Sequence, residues 1–322
     1  MDIITQGLLG SAIATATGKP KNIKKKALAG FLIGLLPDAD SFAGFFGRWA
    51  NLDFHRSFTH SLPGTFLLAF LTAWLAKKLF KTEDMTYKDW LSISALVLMT
   101  HPLLDLLTSY GTEVLYPFTR ERLSLDSVAI VDIFYSLPLL IITGLALFSR
   151  IAEPKLKKYA KYSLIISTFY LICGFSNSAL AVRIGSKAFA EEGFVAEEIR
   201  ALPELSTIKR FRLLGRDKDG NFMLSDTSVF ENKVSSKPVK LLSEKNKYTE
   251  AVYNHKYGKL FKRFSMNMSR ATTSVMKDGN IKVLLSDMRH ANFAGRAGSI
   301  FAATFILTPD CEIISAELGN HS

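Results

Sequence analysis

Cysteine is nearly missing from this chain: its 322 residues contain two. Cys173 lies inside a long apolar run and Cys311 far beyond it, so a disulfide between them is not expected, and neither belongs to a thiolate metal motif. No Gly-rich phosphate-binding loop is present. Acidic side chains are outnumbered, 29 Asp and Glu against 40 Lys and Arg, for a formal net charge of +11. Long uncharged runs are nearly confined to the part before Val182, and the residues after it have the mixed, charged composition of a globular domain.

The first part is rich in what the second lacks. Hydrophobic content is 48% and mean hydropathy is +0.17, high for a chain with so many basic residues. We expect an α-helical polytopic membrane domain over residues 1–182, with about five to six hydrophobic helices, and a small, strand-rich α+β soluble domain over 183–322. Phe58 to Ala76, Ile133 to Ser149 and Tyr162 to Val182 each approach the roughly 20 residues that cross a bilayer core. Ala27 to Phe46 and Leu91 to Leu107 would match them but for Asp38 and Asp40 in one and His101 and Asp105 in the other. Ile3 to Thr17 reaches only about 22 Å at about 1.5 Å per residue, short of the roughly 30 Å core, so it tilts, thins the bilayer or lies as a half-helix. Asp2 stands where a secretory leader carries Lys or Arg, which argues against cleavage after Ala12-Ile13-Ala14.

Basic residues set the orientation. Lys19, Lys21, Lys24, Lys25 and Lys26 come after the first apolar run, Lys77, Lys78, Lys81 and Lys88 after the third, and Arg150, Lys155, Lys157, Lys158 and Lys161 after the fifth. The positive-inside rule makes these alternate connections cytoplasmic, in a bacterial or archaeal inner membrane, and puts residues 183–322 outside. Topology and anionic lipid then account for much of the +11, and no nucleic-acid partner is required. Lys209, Arg210, Arg212 and Arg216 cluster in the second part, but on a hairpin they partly face opposite sides, with Asp217 and Asp219 offsetting them.

Ionisable groups at membrane depth are expensive unless paired, hydrated or ligated. PDAD brings Asp38 and Asp40, HRSFTHS brings His55 and His60, and HPLLD brings His101 and Asp105. Asp38 is 11 residues past Ala27 and His101 is 10 past Leu91, so on ideal helices both lie about 15 to 17 Å deep. His101 and Asp105, four apart, share one helix face. Alone, each motif has a plainer reading: a satisfied buried histidine, or a turn in which Pro37 ends a helix. Together, six groups in three apolar segments point to one polar site opening outward.

Imidazole and carboxylate without thiolate suit a divalent ion, Zn²⁺ first, with Mn²⁺ or Fe²⁺ as alternatives and room for one ion or more. Such a site activates water for phosphoester hydrolysis. Arg56, Thr59 and Asp105 are the candidate catalytic groups, and Ser61, Thr108 and Tyr110 interleave the ligands. A membrane lipid or lipid-linked phosphate is the expected substrate. An ion or proton transporter and a noncatalytic membrane organiser are the competing readings, since buried Asp and His chains also serve pumps.

MDIITQGLLGSAIA, LLPDAD, HRSFTHSLP, HPLLDLLTSYGTEVLYPF and VAIVDIFYSLPLL together resemble the family of membrane-bound metal-dependent hydrolases typified by the LexA-regulated YdjM proteins, over about residues 1 to 182. That family is regarded as a distant relative of the zinc-dependent phospholipase C and P1 nuclease enzymes, in which an HxxxD helix recurs. The resemblance implies Asp38, Asp40, His55, His60, His101 and Asp105 as ligands, with Asp2, Thr5 and Gln6 nearby. Many relatives carry His where this chain has Gln6, a weaker neutral ligand, which therefore reads as a neighbour of the ligands. Asp132 fits the family pattern too, as ligand, as partner of a ligand, or as a helix N-terminal residue favoured by the dipole.

In the second part, Ile208 to Leu214 and Asn221 to Leu224 flank a turn at Asp217 to Gly220 and read as a hairpin. Ile281 to Leu285 and Ser299 to Leu307 read as further strands of one small sheet, and Lys187 to Arg200 as a helix.

Overall fold

The computed structural model describes residues 1–291 and 299–319. They divide into two compact units. The first comprises Met1–Ala43, Phe54–Ser176 and Glu204–Ile208, and the second Gly44–Asp53, Asn177–Pro203 and the chain from Lys209 on.

Seven helices precede the first strand: α1 (Ile3–Ala16), α2 (Ile23–Leu35), α3 (Arg48–Phe54), α4 (Leu62–Phe80), α5 (Tyr87–Leu106), α6 (Ile133–Phe148) and α7 (Glu153–Glu191). Local chemistry starts most of the long ones. Asp2 caps α1, Ser61 caps α4 with a proline in its first turn, Thr86 and Asp89 form a capping box on α5, and Asp132 caps α6. By length and composition, Ile23–Phe46, Leu62–Phe80 and Glu153–Glu191 suffice to cross a membrane, and α1 and α6 are shorter apolar helices. The outward faces of α4, α6 and α7 carry exposed Phe66, Phe70, Trp74, Leu140, Ile141, Ile165 and Phe169, a band that water would not tolerate and lipid would.

Two expectations change here. Lys24, Lys25 and Lys26 belong to the first turn of α2, and Lys155 to Lys161 to the first turns of α7, because both helices begin before their apolar runs do. Lys26 is buried, with Nζ donating to Thr17 O at 2.5 Å and Lys19 O at 3.0 Å, so it satisfies carbonyls just past the end of α1.

The first unit is organised by α1, which packs on α2, α5 and α6. Against α2 the backbones touch. A Cβ added to Gly10 would stand 2.2 Å from Gly30 O, one on Gly30 2.3 Å from Gly10 O, and one on Gly34 2.5 Å from Gln6 O. Small residues at such crossings let membrane helices approach at backbone distance. Ile13, Ile33, Ala69, Ala73, Trp90 and Val97 close the core beside this contact.

The second unit holds two antiparallel sheets rather than the single small sheet expected. One orders β1 (Glu198–Pro203), β2 (Arg210–Arg216), β3 (Phe222–Ser228) and β4 (Lys233–Val234), with β5 (Val239–Leu241) also on β3. After α8 (Lys247–Asn254) and α9 (Lys256–Phe264), the other runs as a meander of β6 (Ser269–Val275), β7 (Ile281–Asp287), β8 (Ala302–Leu307) and β9 (Ile313–Leu318). The expected β2–β3 hairpin is present, with Leu214 opposite Leu224. Helix α7 runs through the boundary expected at 182/183 and stops at Glu191, where Gly193 turns at φ +71°. The Ala- and Glu-rich composition of Lys187 to Arg200 thus yields a helix end followed by β1, an override of propensity by sheet pairing. Of the basic cluster on β2, Arg212 is buried against Ala291 O and Asp226, and Arg216 lies near Glu197 and Glu198.

The glycine contact gives a test. Gly10→Ala and Gly30→Ala should each lower stability by about 1–3 kcal/mol through overpacking, measured by thermal unfolding in detergent. Gly144→Ala on α6, where an added methyl meets nothing within 4 Å, should leave it unchanged or raised.

Candidate metal centre

Pro37 ends α2 and opens a 3₁₀ stretch, Pro37–Phe46, whose first turn carries Asp38 and Asp40. The chain returns at His55, passes Arg56 in the left-handed region at φ +61°, and makes a short 3₁₀ turn, Phe58–His60, before Ser61 caps α4. A non-glycine residue held at positive φ is a strained feature of the kind that clusters at functional sites. His101 and Asp105 come from α5, one turn apart on its buried face.

Four of these side chains converge. Asp38, His60, His101 and Asp105 are all buried and offer donor atoms within 4.8 Å of one another. His60 Nε2 lies 3.1 Å from His101 Nε2, 3.2 Å from Asp38 Oδ1 and 3.3 Å from Asp105 Oδ2. His101 Nε2 lies 3.5 Å from Asp105 Oδ2 and 3.7 Å from Asp38 Oδ1. Ligands about 2.0–2.1 Å from a tetrahedral ion are about 3.3–3.4 Å apart, and the five separations scatter around that edge length.

The outer nitrogens determine what the inner ones are. His101 Nδ1 lies 2.9 Å from Gly34 O, and His60 Nδ1 lies 3.1 Å from Asp40 Oδ2. A carbonyl and a carboxylate accept only, so both Nδ1 atoms carry a proton, and each ring turns its Nε2 toward Asp38 and Asp105. This is the support that metal-bound imidazoles receive from their surroundings. Asp38 Oδ2 and Asp105 Oδ2 are buried and receive no hydrogen bond. Two carboxylates and two imidazole nitrogens facing one point in a buried site are a donor set that a divalent ion fits.

The other expected residues hold this set in place. Asp40 lies beside the set, its Oδ1 2.7 Å from His55 Nδ1 and its Oδ2 accepting from Arg56 N at 3.0 Å and the Thr59 hydroxyl at 2.7 Å, besides facing His60. His55 faces Asp40 and Ser41 and meets the His60 ring edge-on, centroids 5.7 Å apart. Thr59 thus orients Asp40. Arg56 is buried, its Nη2 3.0 Å from Asp105 Oδ1 and its Nη1 donating to the Thr108 hydroxyl at 3.2 Å, while its Nε–H has no acceptor. Gln6 Nε2 donates to Asp105 Oδ1 at 3.1 Å and to His101 O, and the Met1 α-amino group donates to the same Asp105 oxygen. Asp105 is therefore divided, one oxygen for these donors and the other for the centre.

Three expected neighbours have other jobs. Asp2 accepts from the Thr5 amide and hydroxyl as the cap of α1. Asp132 caps α6 through the Phe134 and Tyr135 amides and accepts from the Tyr170 hydroxyl. Ser61 caps α4 through the Gly64 amide. Tyr110 lies under the Arg56 and Arg122 guanidinium groups, 4.7 and 5.8 Å from its ring centre.

Sequence reasoning overlooked Glu113, Arg120 and Arg122. Glu113 is fully buried, accepts from Ser57 Oγ at 2.9 Å and Arg120 Nε at 3.2 Å, and donates its amide to Arg56 O. Arg122 Nη2 donates to His55 O at 2.9 Å. Together they brace the loop that carries His55 and Arg56. The signal available was a charged connection between α5 and α6, with Glu113, Arg120, Glu121, Arg122 and Asp126.

No solved structure matches the chain. Inner membrane protein YbcI of Escherichia coli (strain K12) is 31% identical over 123 residues, which cover 37% of this chain and 69% of that protein. The expected similarity to the phospholipase C and P1 nuclease enzymes is not shown by these matches. The model of the YdjM inner membrane protein family matches residues 1–181, the stretch that holds every member of the four-donor cluster, and the chain belongs to that family.

Proposed function

We propose that the chain is a membrane-bound, metal-dependent hydrolase that cleaves a phosphoester in a lipid or lipid-linked substrate. The carrying observation is the buried Asp38, His60, His101 and Asp105 set with the Arg56 guanidinium beside it. When bound, a divalent ion, zinc by the donor chemistry, lowers the pKa of a water and polarises a phosphoryl oxygen. The chain's own groups do the rest. His60 and His101 are held by Asp40 and Gly34 O in the tautomer that presents Nε2. Arg56 pairs with Asp105 and orients it, and its unaccepted Nε–H is a donor for the oxygen on which negative charge grows. The apolar outer faces of the helices that carry the site suit a substrate whose tail stays in the bilayer. By the positive-inside pattern, residues 183–322 lie on the outer side.

A second reading draws on the same donors. Four protein ligands fill a tetrahedral shell, as in structural sites, whereas a catalytic ion keeps an open position. Hydrolysis distinguishes the two.

Protein purified in mild detergent without chelator should carry at least one zinc or manganese ion per chain by mass spectrometry, lost in folded His101→Ala, Asp105→Ala protein. No metal in the wild type after reconstitution with candidate ions would end the metal reading. In nanodiscs, release of phosphate or headgroup from a phospholipid and lipid-phosphate panel should fall about 10²- to 10³-fold in Arg56→Ala. Metal retained with no turnover on any substrate would favour the structural ion. A membrane-impermeant maleimide applied to intact cells should label Cys311 and spare Cys173; labelling of Cys311 only after lysis would reverse the orientation.

A further inference from the structure

The second unit holds a cavity of about 910 Å³, bordered by the β2–β3 turn, α8, the end of α9 and the start of β6, so that every wall belongs to that unit. Basic side chains on its wall outnumber acidic ones five to three. Two of the acidic ones are engaged: Asp219 pairs with Lys245 at 3.4 Å, and Glu244 accepts from the Thr273 amide and hydroxyl. The cations are less so. Among the described residues neither Lys218 nor Lys262 pairs with a carboxylate, and Lys262 lies over the Tyr253 ring. Arg216 Nε is buried without an acceptor, and its Nη2 stands 3.6 and 3.8 Å from Glu197 and Glu198, outside hydrogen-bond reach. A guanidinium with an unfilled buried donor, backed by loose ammonium groups, is suited to an anion.

The rest of the wall narrows the class. A cavity in the range of roughly 300–1,000 Å³ takes a ligand of many atoms, and a lone phosphate would leave most of this one empty. Asn254 and Asn267 bring side-chain amides, each both donor and acceptor, that have no partner among the described residues. Asn267 follows Met266 in the left-handed region, at φ +61° and +50°, a strained pair of the kind found at ligand clamps. The two aromatic residues offer no slot for a base: Phe222 is fully buried, and Tyr253 is tied by its hydroxyl to Ser269. We propose that this cavity binds a phosphorylated oligosaccharide, Arg216 taking the phosphate with Lys218 and Lys262 adding attraction, and Asn254 and Asn267 taking sugar hydroxyls. The site is separate from the metal centre and stands whether or not that centre is loaded.

The test is calorimetry on the full-length chain in detergent with a panel of phosphorylated disaccharides, trehalose phosphate among them. At least one should bind saturably, about tenfold or more tighter than its unphosphorylated form and than inorganic phosphate. Arg216→Gln should weaken it about tenfold, and the exposed Lys218→Gln and Lys262→Gln together should weaken it too, which keeps the test open if Arg216→Gln does not fold by circular dichroism. Lys233→Gln on β4, outside the cavity, and His101→Ala at the metal centre should bind as the wild type does. Loss of binding in His101→Ala would place the ligand at the metal centre instead. No saturable binding across the panel, or full affinity in the folded cavity variants, would overturn the inference. Inorganic phosphate binding as tightly as the sugar phosphates, or ADP binding more tightly, would overturn the ligand class.

Discussion

Two carboxylates and two imidazole nitrogens face one another at 3.1 to 3.7 Å in a buried site, and such a set is stable only where protons or a cation offset its charge. Desolvation opposes each charge, and like charges this close oppose one another more strongly still. Much of the first unit reads as a consequence. Asp40 and Gly34 O fix the histidine tautomers, Arg56 and Gln6 take the outer oxygen of Asp105, and Glu113 with its arginines braces the loop that brings Arg56 in. The glycine crossing of α1 and α2 belongs to the same account, because it brings Gln6, which donates to His101 O and Asp105, and Gly34, whose carbonyl faces His101 Nδ1, to backbone distance.

The sequence made the four donors legible because rarity is informative in apolar runs: an Asp or His there needs a reason. It also placed Asp40 and His55 beside them, where the two side chains bond to each other. Depth and helical period say which residues share a level; they do not say which oxygens accept hydrogen bonds from neighbours, as those of Asp40 do from His55, Arg56 and Thr59. Asp2 and Asp132 matched a family pattern and proved to be caps, a role the positions before two apolar helices already allowed. Glu113 and Arg122 lie in a connection without period, where no pattern separates a brace from a solvated charge.

The fold was legible to a similar depth. Apolar runs located the long helices, and alternation located the β2–β3 hairpin and β7. Capture of Gly44–Asp53 by the second unit was not legible, because it depends on Trp49 meeting Tyr257, Phe305 and Ala316 across more than two hundred positions, a non-local pairing that local pattern does not encode.

The two readings of PDAD, helix stop and ligand source, turn out to be one. A helix that ends leaves its last carbonyls without amide partners, and at membrane depth no water is there to take them. Pro37 ends α2, and Gly34 lies in its last turn. Gly34 O is the acceptor that holds His101 Nδ1–H, so the helix end obtains its missing donor from His101, and His101 obtains its orientation from the helix end. Ile33 O is closed locally by the Leu36 amide. A continuous helix through Asp38 would bond Gly34 O to its own backbone and leave His101 free to rotate. The break that looks like a defect in a membrane span is therefore what makes a rigid imidazole available on the facing helix.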